Sequence, residues 1–336
     1  MIRPYTRLAS AVALVVLSLP MLKAAAQQQV PAVPAAPSAS GASVPSAPAA
    51  APAVVFPKTD PQFFTASTPT KDVLNAFFQA TWGYDPNRVW QIQAILKTQV
   101  EGITKVVLLV GDKSGKQKLS AVQFFALPDG KHIIAGDEIL PFGEHPYADN
   151  RAQLEQKADG PYRGPATKEL ELVEFADFQC PHCKEAQANM DRLAVDFPKA
   201  HIVFQNFPLV RIHPAALKAA EYGVCVTKLG GSNAFFQFAS AVFDGQDGLA
   251  TPDGATLTLN SAATKAGLDP VKVQACSTTP ETGSIIEASV KLAQDLNIAE
   301  TPTLMVNGRQ VPIGGLPYDT LKQIVEYQAK MDGVTP

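Results

Sequence analysis

The feature that most constrains the fold of this chain is the motif Cys180-Pro181-His182-Cys183, which stands where a predicted strand gives way to a predicted helix. Two cysteines at this spacing lie within one helical turn, close enough to form a disulfide and to open it again. The helix amino terminus presents free N–H groups and partial positive charge to Cys180, which favours its thiolate. Pro181 suits the first helical turn, and His182 can add a donor or a positive charge. The motif predicts a redox pair in which Cys180 attacks and Cys183 resolves.

Two other uses of such a pair are a structural zinc site and a static disulfide. Zinc would need a second pair of Cys or His ligands at short spacing, whereas Cys225 and Cys276 stand alone in helical surroundings. A bridge across two intervening residues closes a very small loop and contributes little stability through chain entropy. We therefore predict redox chemistry with no metal and no other cofactor.

Strands and helices alternate around the motif. An apolar run over 170–175 predicts a buried strand, apolar residues at helical spacing follow from Cys180 to Phe197, and 201–207 is the next strand. Strand, helix and strand in one sheet imply a right-handed parallel crossover.

A helical pattern then interrupts the sheet over residues 208–297. Strands resume at 303–306 and 310–313, separated by Asn307-Gly308, a dipeptide typical of a tight antiparallel hairpin. The chain ends in a predicted helix.

The start of the chain has the layout of a secretory signal peptide, which we place at residues 1–26. Arg3 and Arg7 precede an almost entirely apolar run over 8–22, and three alanines at 24–26 offer a cleavage site. Residues 27–57 are dominated by Ala, Pro, Ser and Val without any periodicity, so we expect a disordered, semi-stiff linker.

Composition excludes two classes of partner. A formal net charge of −3 gives no electrostatic footprint for nucleic acid. No apolar run after Leu22 is long enough to cross a bilayer, so we expect no membrane span beyond the signal segment.

A first folded region is predicted over residues 58–143. Thr70 is expected to cap a helix that ends near Gly83, and several strands follow it with a period of two. Asp129-Gly130 predicts a two-residue hairpin turn. The pattern indicates a small α+β domain. A polar interdomain linker follows over 144–167, with a short helix expected at 150–157.

A family becomes recognisable in the run VEFADFQCPHC at 173–183, together with Thr301-Pro302-Thr303 and Val306-Asn307-Gly308. These residues resemble the thioredoxin-fold Dsb proteins, which handle disulfides outside the cytoplasm. The resemblance implies an α/β thioredoxin-like fold with an inserted helical subdomain over residues 168–336. It also implies that Pro302 is cis and lies against the cysteine pair, where Thr301 and Pro302 bind substrate.

The same resemblance gives roles to three further residues. Glu174 matches the family's buried acid beneath the active site, which could relay the proton of Cys183; the alternative is a strand residue that points to solvent. Cys225 and Cys276 resemble a second cysteine pair found in related helical inserts, which forms a structural disulfide; the alternative is two separate buried thiols.

The first domain also resembles a known family. The run from Phe124 to Gly136 is similar to the amino-terminal, cystatin-like dimerisation domain of the DsbC/DsbG type. The resemblance implies a homodimer formed through residues 58–143. His132, which lies in this run, is interpreted as a strand residue and not as a ligand or catalyst.

These observations together predict a thiol:disulfide oxidoreductase of the periplasm or another extracytoplasmic compartment. Its partners would be exported proteins with thiols or disulfides, and a redox partner that resets Cys180 and Cys183. The Pro181-His182 dipeptide resembles the strongly oxidising DsbA type, whereas Thr301 and the additional domain resemble the isomerase or reductase type. We favour the oxidase.

A binding module is the alternative from another class. A periplasmic chaperone would hold unfolded proteins in the groove beside Pro302, with the cysteines incidental. The intact C-P-H-C motif favours the enzyme, because a binder needs no paired thiols.

Overall fold

The structure of the protein is a computed structural model that describes residues 54–116 and 118–335. The predicted signal peptide and most of the predicted Ala/Pro linker lie outside the described residues. The described part contains two five-stranded sheets, the first packed against one helix and the second against several. No helix in this part is both long enough and apolar enough to span a membrane.

The first sheet is antiparallel, with its strands in sequence order, and one helix packs on it. The elements are α1 (Lys71–Trp82), β1 (Arg88–Lys97), β2 (Thr104–Asp112), β3 (Ser120–Ala126), β4 (His132–Ala135) and β5 (Glu138–Pro141). The Thr70 hydroxyl accepts the N–H of Val73 at 3.3 Å, which caps α1 as the sequence predicts. Leu74, Phe77 and Phe78 point into the core between helix and sheet.

The predicted two-residue turn at Asp129-Gly130 is wrong. Leu127 N–H donates to the His132 carbonyl at 3.0 Å, so the loop between β3 and β4 holds four residues, 128–131. Only Gly130 takes a positive φ (69°), whereas the two-residue turn needs positive φ at both central positions. Pro128, whose ring fixes a negative φ, instead starts an ordinary turn closed by Gly130 N–H on the Leu127 carbonyl.

The second sheet has the order β10-β9-β7-β8-β6. Its elements and the helices around it are α2 (Ala148–Lys157), β6 (Tyr162–Arg163), β7 (Glu171–Ala176), α3 (Pro181–Asp196), β8 (His201–Asn206), α4 (Ala216–Asp244), α5 (Pro252–Lys265), α6 (Pro270–Ser277), α7 (Pro280–Asp295), β9 (Thr303–Val306), β10 (Arg309–Pro312) and α8 (Tyr318–Met331). β7 and β8 are parallel and joined through α3, which confirms the parallel pairing predicted for them. Asn307 and Gly308 have φ of 45° and 86° between antiparallel β9 and β10, which confirms the predicted hairpin.

The helical insert between β8 and β9 consists of α4 to α7, packed around a core that reaches the cysteine motif. Phe178 and both motif cysteines belong to this core, together with aromatic residues of α4, namely Tyr222, Phe235, Phe238 and Phe243. α4 consists of two halves, which meet at a kink at Gly231 with a φ of 75°. A disulfide joins Cys225 of α4 to Cys276 of α6.

The segment 144–167, which the sequence indicates as a linker, contributes to the second sheet. Leu154 of α2 is fully buried against Val173 and its neighbours. Tyr162 and Arg163 form β6, which pairs antiparallel with β8 at the sheet edge. A strand of two residues is too short to show a period of two, so the pattern could not reveal it.

Arg309, which is buried on β10, connects α1 to the second half of the chain through hydrogen bonds. Its guanidinium donates to the carbonyls of Ala80 and Thr81 at the end of α1. The Tyr327 hydroxyl of α8 donates to the neighbouring Gln79 carbonyl at 2.7 Å. The last carbonyls of a helix lack partners within the helix, so these donors from α8 and β10 complete the end of α1.

Candidate active site

The cysteine pair lies at the carboxyl end of β7, where the chain turns into α3. Cys180 occupies the residue before the helix and Pro181 its first position, where the missing N–H costs nothing. Both cysteines are thiols; Cys180 is 5% exposed and Cys183 is fully buried. The pair is therefore asymmetric: only Cys180 has a surface that a second molecule could reach.

The surroundings of Cys180 favour its thiolate. The hydrogen bond with Cys183 is the largest cause that lowers the pKa of Cys180 to about 5, with help from Thr301 and from the backbone N–H groups of Cys183 and His182. Burial opposes this effect. A cysteine with this pKa is ionised at neutral pH, which makes it an effective leaving group.

The surroundings of Cys183 act in the opposite direction. Burial raises the pKa of Cys183 far above its ordinary value, and the neighbouring Cys180 raises it further. The sulfur accepts the backbone N–H of Asp177 at 3.4 Å. Cys183 thus retains its proton and can donate it to the thiolate of Cys180.

We expect the thiolate of Cys180 to titrate with a midpoint at about pH 5. Ultraviolet thiolate absorbance of the reduced protein, followed against pH, measures this midpoint. A Cys183→Ala variant should shift the step to higher pH, because the hydrogen bond from Cys183 is the largest cause of the low pKa. Cys180→Ala should remove the step. A wild-type midpoint near the usual cysteine pKa of about 8.5 would contradict this account.

Thr301 and Pro302 lie beside the cysteine pair, at the start of β9. The peptide bond between them is cis. Cys180 Sγ is 3.5 Å from the Thr301 carbonyl oxygen, and Thr301 is 9% exposed. A methyl group at Gly314 would contact Pro302 Cδ at 3.7 Å and His182 Cβ at 3.8 Å. The start of α3, the loop before β9 and the loop after β10 therefore lie close together at the cysteine pair.

His182 lies on the surface of this site. Its Nδ1 is 3.1 Å from Glu185 Oε2, and this carboxylate raises the pKa of His182. The thiolate of Cys180 raises it slightly further, as expected for a weak charge interaction. The hydrogen bond that His182 gives to the pair comes from its backbone N–H.

Glu174 is buried on β7, with 2% of its surface exposed. Its Oε1 accepts the Gln187 side-chain N–H at 2.9 Å, and the same nitrogen donates to the Cys183 carbonyl at 3.2 Å. Burial raises the pKa of Glu174 to about 7, while Gln187 and Arg163 oppose the rise. A carboxyl with this pKa exchanges its proton readily at neutral pH.

Two glutamines that the sequence does not indicate, Gln179 and Gln246, hold the loop before Cys180. The Gln246 side chain donates to the carbonyls of Phe178 and Cys180, at 2.9 Å each. The Gln179 side chain donates to the Leu249 carbonyl at 3.2 Å. Gln246 belongs to the helical insert and Gln179 to the motif loop, and no spacing in the sequence connects them.

The described residues hold no group of three or more His, Cys, Asp or Glu side chains arranged for a metal ion. Cys225 and Cys276 lie in the insert, bonded to each other. His132 lies on β4, with Nδ1 2.6 Å from Asp129 Oδ2.

Curated relatives of this chain are longer proteins. The Na(+)/H(+) antiporter NhaA 3 of Salinispora tropica is 30% identical over 148 residues, 44% of this chain and 22% of the antiporter. The Na(+)/H(+) antiporter NhaA 1 of Mycolicibacterium vanbaalenii is 33% identical over 153 residues, 44% of this chain and 23% of that protein. The chain thus spans less than a quarter of the length of these relatives.

Several solved structures are similar to part of the chain. ScsC of Proteus mirabilis, in a transitional conformation, has 23% identity and a TM-score of 0.46, over 55% of this chain and 79% of that one. A thioredoxin-like oxidoreductase of Silicibacter pomeroyi has 25% identity and a TM-score of 0.45, over 54% and 98%. DsbA2 of Pseudomonas aeruginosa has 26% identity and a TM-score of 0.43, over 50% and 93%.

The protein family described as "Thioredoxin" matches residues 157–327, half of the chain. The match covers the second sheet from just before β6, the helical insert and most of α8. The expected thioredoxin-like fold is confirmed over the matched residues. The chain belongs to the thioredoxin family.

Proposed function

We propose that the chain is a thiol:disulfide oxidoreductase that exchanges disulfides with exported proteins through Cys180 and Cys183. The observation that carries the proposal is the asymmetry of the pair: a partly accessible cysteine with a pKa of about 5 beside a buried cysteine whose pKa is strongly raised. A static structural disulfide has no need of either property.

The reaction begins with the oxidised pair. A substrate thiolate attacks Cys180 Sγ, the bond between Cys180 and Cys183 breaks, and Cys183 leaves with the electron pair and takes up a proton. A second substrate thiolate then attacks the substrate sulfur of the mixed disulfide, and Cys180 leaves as a stable thiolate. The substrate loses two electrons and the protein gains them, so a redox partner must reoxidise the pair.

We propose that oxidation of substrates is the favoured direction. A depressed pKa of Cys180 stabilises the reduced protein at neutral pH, and a stabilised reduced form makes its disulfide a stronger oxidant. The isomerase alternative uses the same chemistry from the reduced form. Both directions place substrate beside Thr301 and Pro302.

The test is the equilibrium between the protein and a glutathione buffer, with two activity assays. We expect a pair that is reduced more easily than a structural disulfide, and faster oxidation of a reduced substrate than repair of a scrambled one. A pair as resistant to glutathione as a structural disulfide would reject the proposal. Faster repair of scrambled substrate would reject the direction. Full activity in a Cys180→Ala variant would reject the site.

We propose that Glu174 is the proton relay for Cys183. When Cys183 attacks a mixed disulfide at Cys180, its thiol must lose a proton, and an ionised Glu174 can accept it. The release of a peptide from that mixed disulfide should therefore accelerate as the pH rises through about 7. Glu174→Gln should slow release on the order of 10²-fold and remove this inflection.

The matched control for Glu174 is Glu171→Gln. Glu171 is fully buried on the same strand, and burial also raises its pKa, but it pairs with Lys168 at the opposite end of β7. Release rates in this control should follow the wild-type pH profile. Equal slowing by both substitutions would attribute the effect to stability and contradict the relay.

We propose an extracytoplasmic location and a homodimer built through residues 58–143. The location follows from the secretory layout of residues 1–26 and from the chemistry, since disulfides persist in oxidising compartments. Amino-terminal sequencing of the periplasmic form should give a start near Gln27.

Gel filtration at micromolar concentration tests the proposed homodimer, and a monomer would reject it.

A further inference from the structure

We infer that Asp177 and His213 are positioning residues that orient the thiol of Cys183 toward Cys180. The inference rests on the proposed exchange reaction and names the residues that set its geometry. Asp177 lies three residues before Cys180 in the loop after β7, and His213 lies in the loop after β8, 36 residues further along the chain.

Asp177 binds both cysteines through its backbone. Its N–H donates to Cys183 Sγ at 3.4 Å, and its carbonyl accepts the N–H of Cys180 at 3.1 Å. Because the Asp177 N–H occupies one side of the Cys183 sulfur, the S–H of Cys183 is free to point at Cys180. Successive hydrogen bonds of this kind strengthen one another.

The carboxylate of Asp177 fixes the direction of that backbone. It is buried, with the residue 2% exposed, and it accepts three hydrogen bonds. Oδ1 accepts the Gln179 N–H at 2.7 Å; Oδ2 accepts the Leu209 N–H at 2.8 Å and lies 2.8 Å from His213 Nδ1. The loops after β7 and β8 are thus joined at one carboxylate.

His213 supplies the side-chain partner of this carboxylate. A buried carboxylate is costly unless it is paired and hydrogen-bonded. The His213 side chain is 16% exposed, so it links the buried group to the surface. The other titratable groups that act on the two cysteines are Glu174, which accepts a hydrogen bond from Gln187, and His182, which pairs with Glu185.

The first test replaces His213 and follows the thiolate midpoint of Cys180 and the equilibrium with glutathione. His213→Leu removes the donor and should raise the midpoint by about one pH unit, a tenfold lower ratio of thiolate to thiol at a given pH. The reduced form should lose stability against glutathione by a similar factor. His213→Gln keeps an N–H donor and should restore most of both values.

His201→Leu is the matched control. His201 is 4% exposed and its Nδ1 lies 2.7 Å from the Pro165 carbonyl, at the opposite end of β8. This variant should lose stability but keep the wild-type midpoint. An equal shift in His201→Leu would overturn the inference.

Asp177→Asn provides a test of sign. Removing a negative charge near Cys180 would by itself lower the thiolate midpoint. In either orientation of the new amide, its NH2 group faces an N–H that now donates to the Asp177 carboxylate, so at least one of these hydrogen bonds is lost. The loop then loses its fixed direction, and the positioning role predicts a higher thiolate midpoint. A lower midpoint would overturn the inference, and if this variant fails to fold, His213→Leu decides.

The outcomes separate the inference from the proposed function. A wild-type protein that exchanges no disulfides rejects the proposed function itself. An active wild type whose midpoint and glutathione equilibrium are unchanged in His213→Leu, while its stability falls, rejects only the positioning role.

Discussion

A Cys183→Ala variant should accumulate covalent complexes with exported proteins while its catalysed turnover falls to the background rate. Cys180 loses its largest source of thiolate stabilisation but retains the contacts with Thr301 and the backbone N–H of His182, so it still attacks substrate disulfides. With Cys183 gone, the mixed disulfide lacks the neighbouring thiol that would release the substrate. Non-reducing gels of the variant expressed with its signal segment measure the captured species.

Two variants complete this experiment. Cys180→Ala should capture nothing, because Cys183 is fully buried and holds its proton. The double variant should also capture nothing, which excludes the disulfide-bonded Cys225 and Cys276 as the source. Complexes that form equally well without Cys180 would show that another thiol is the nucleophile.

Arg309→Ala should destabilise the protein by about 3 kcal/mol, chiefly by detaching α1 from the second half of the chain. The substitution leaves the buried carbonyl of Ala80 and the partly buried carbonyl of Thr81 without their charged donor. It also removes the stacking of the guanidinium on Tyr84, whose ring centre is 5.0 Å away. Arg309→Lys should recover only part of the loss, because an ammonium lacks the planar fork that reaches two carbonyls.

Urea unfolding followed by two signals tests this expectation. Both tryptophans, Trp82 and Trp90, lie in the first half of the chain, so their fluorescence reports that half, whereas circular dichroism reports all helices. In Arg309→Ala the fluorescence transition should move to lower urea than the dichroism transition. Arg88→Ala is the control: Arg88 likewise lies over an aromatic ring, that of Trp82, but its other partner is the half-exposed carboxylate of Asp85. Coincident transitions in Arg309→Ala would contradict the role of Arg309.

Local patterns were sufficient to predict the elements around the redox pair. The Cys180 to Cys183 spacing, the apolar strand before it and Asn307-Gly308 each act within a few residues, and the structure has each element where the pattern places it. The two-residue turn predicted at Asp129-Gly130 is wrong because Pro128 favours a different turn from the one that the dipeptide alone indicates.

Local sequence patterns do not predict contacts between residues that lie far apart in the chain. Asp177 and His213 meet only because parallel strands end at the same edge of a sheet, and that edge follows from the completed topology. Nothing in the sequence around Arg309 distinguishes it from any other arginine in a short predicted strand. Its two carbonyl partners lie more than 200 residues away, in a helix whose own pattern gives no sign of them.

The hairpin of β9 and β10 connects the contact at α1 with the loop of Thr301 and Pro302, where we propose that substrate binds. Arg309 begins β10, and just beyond its other end the Ile313 N–H donates to the Pro302 carbonyl at 3.1 Å. Binding at Pro302 and docking of α1 therefore act on the same four-residue strand. Any allosteric coupling between them must be reciprocal: a partner that pulls α1 off Arg309 and thereby changes the affinity for substrate would itself bind differently once substrate is in place.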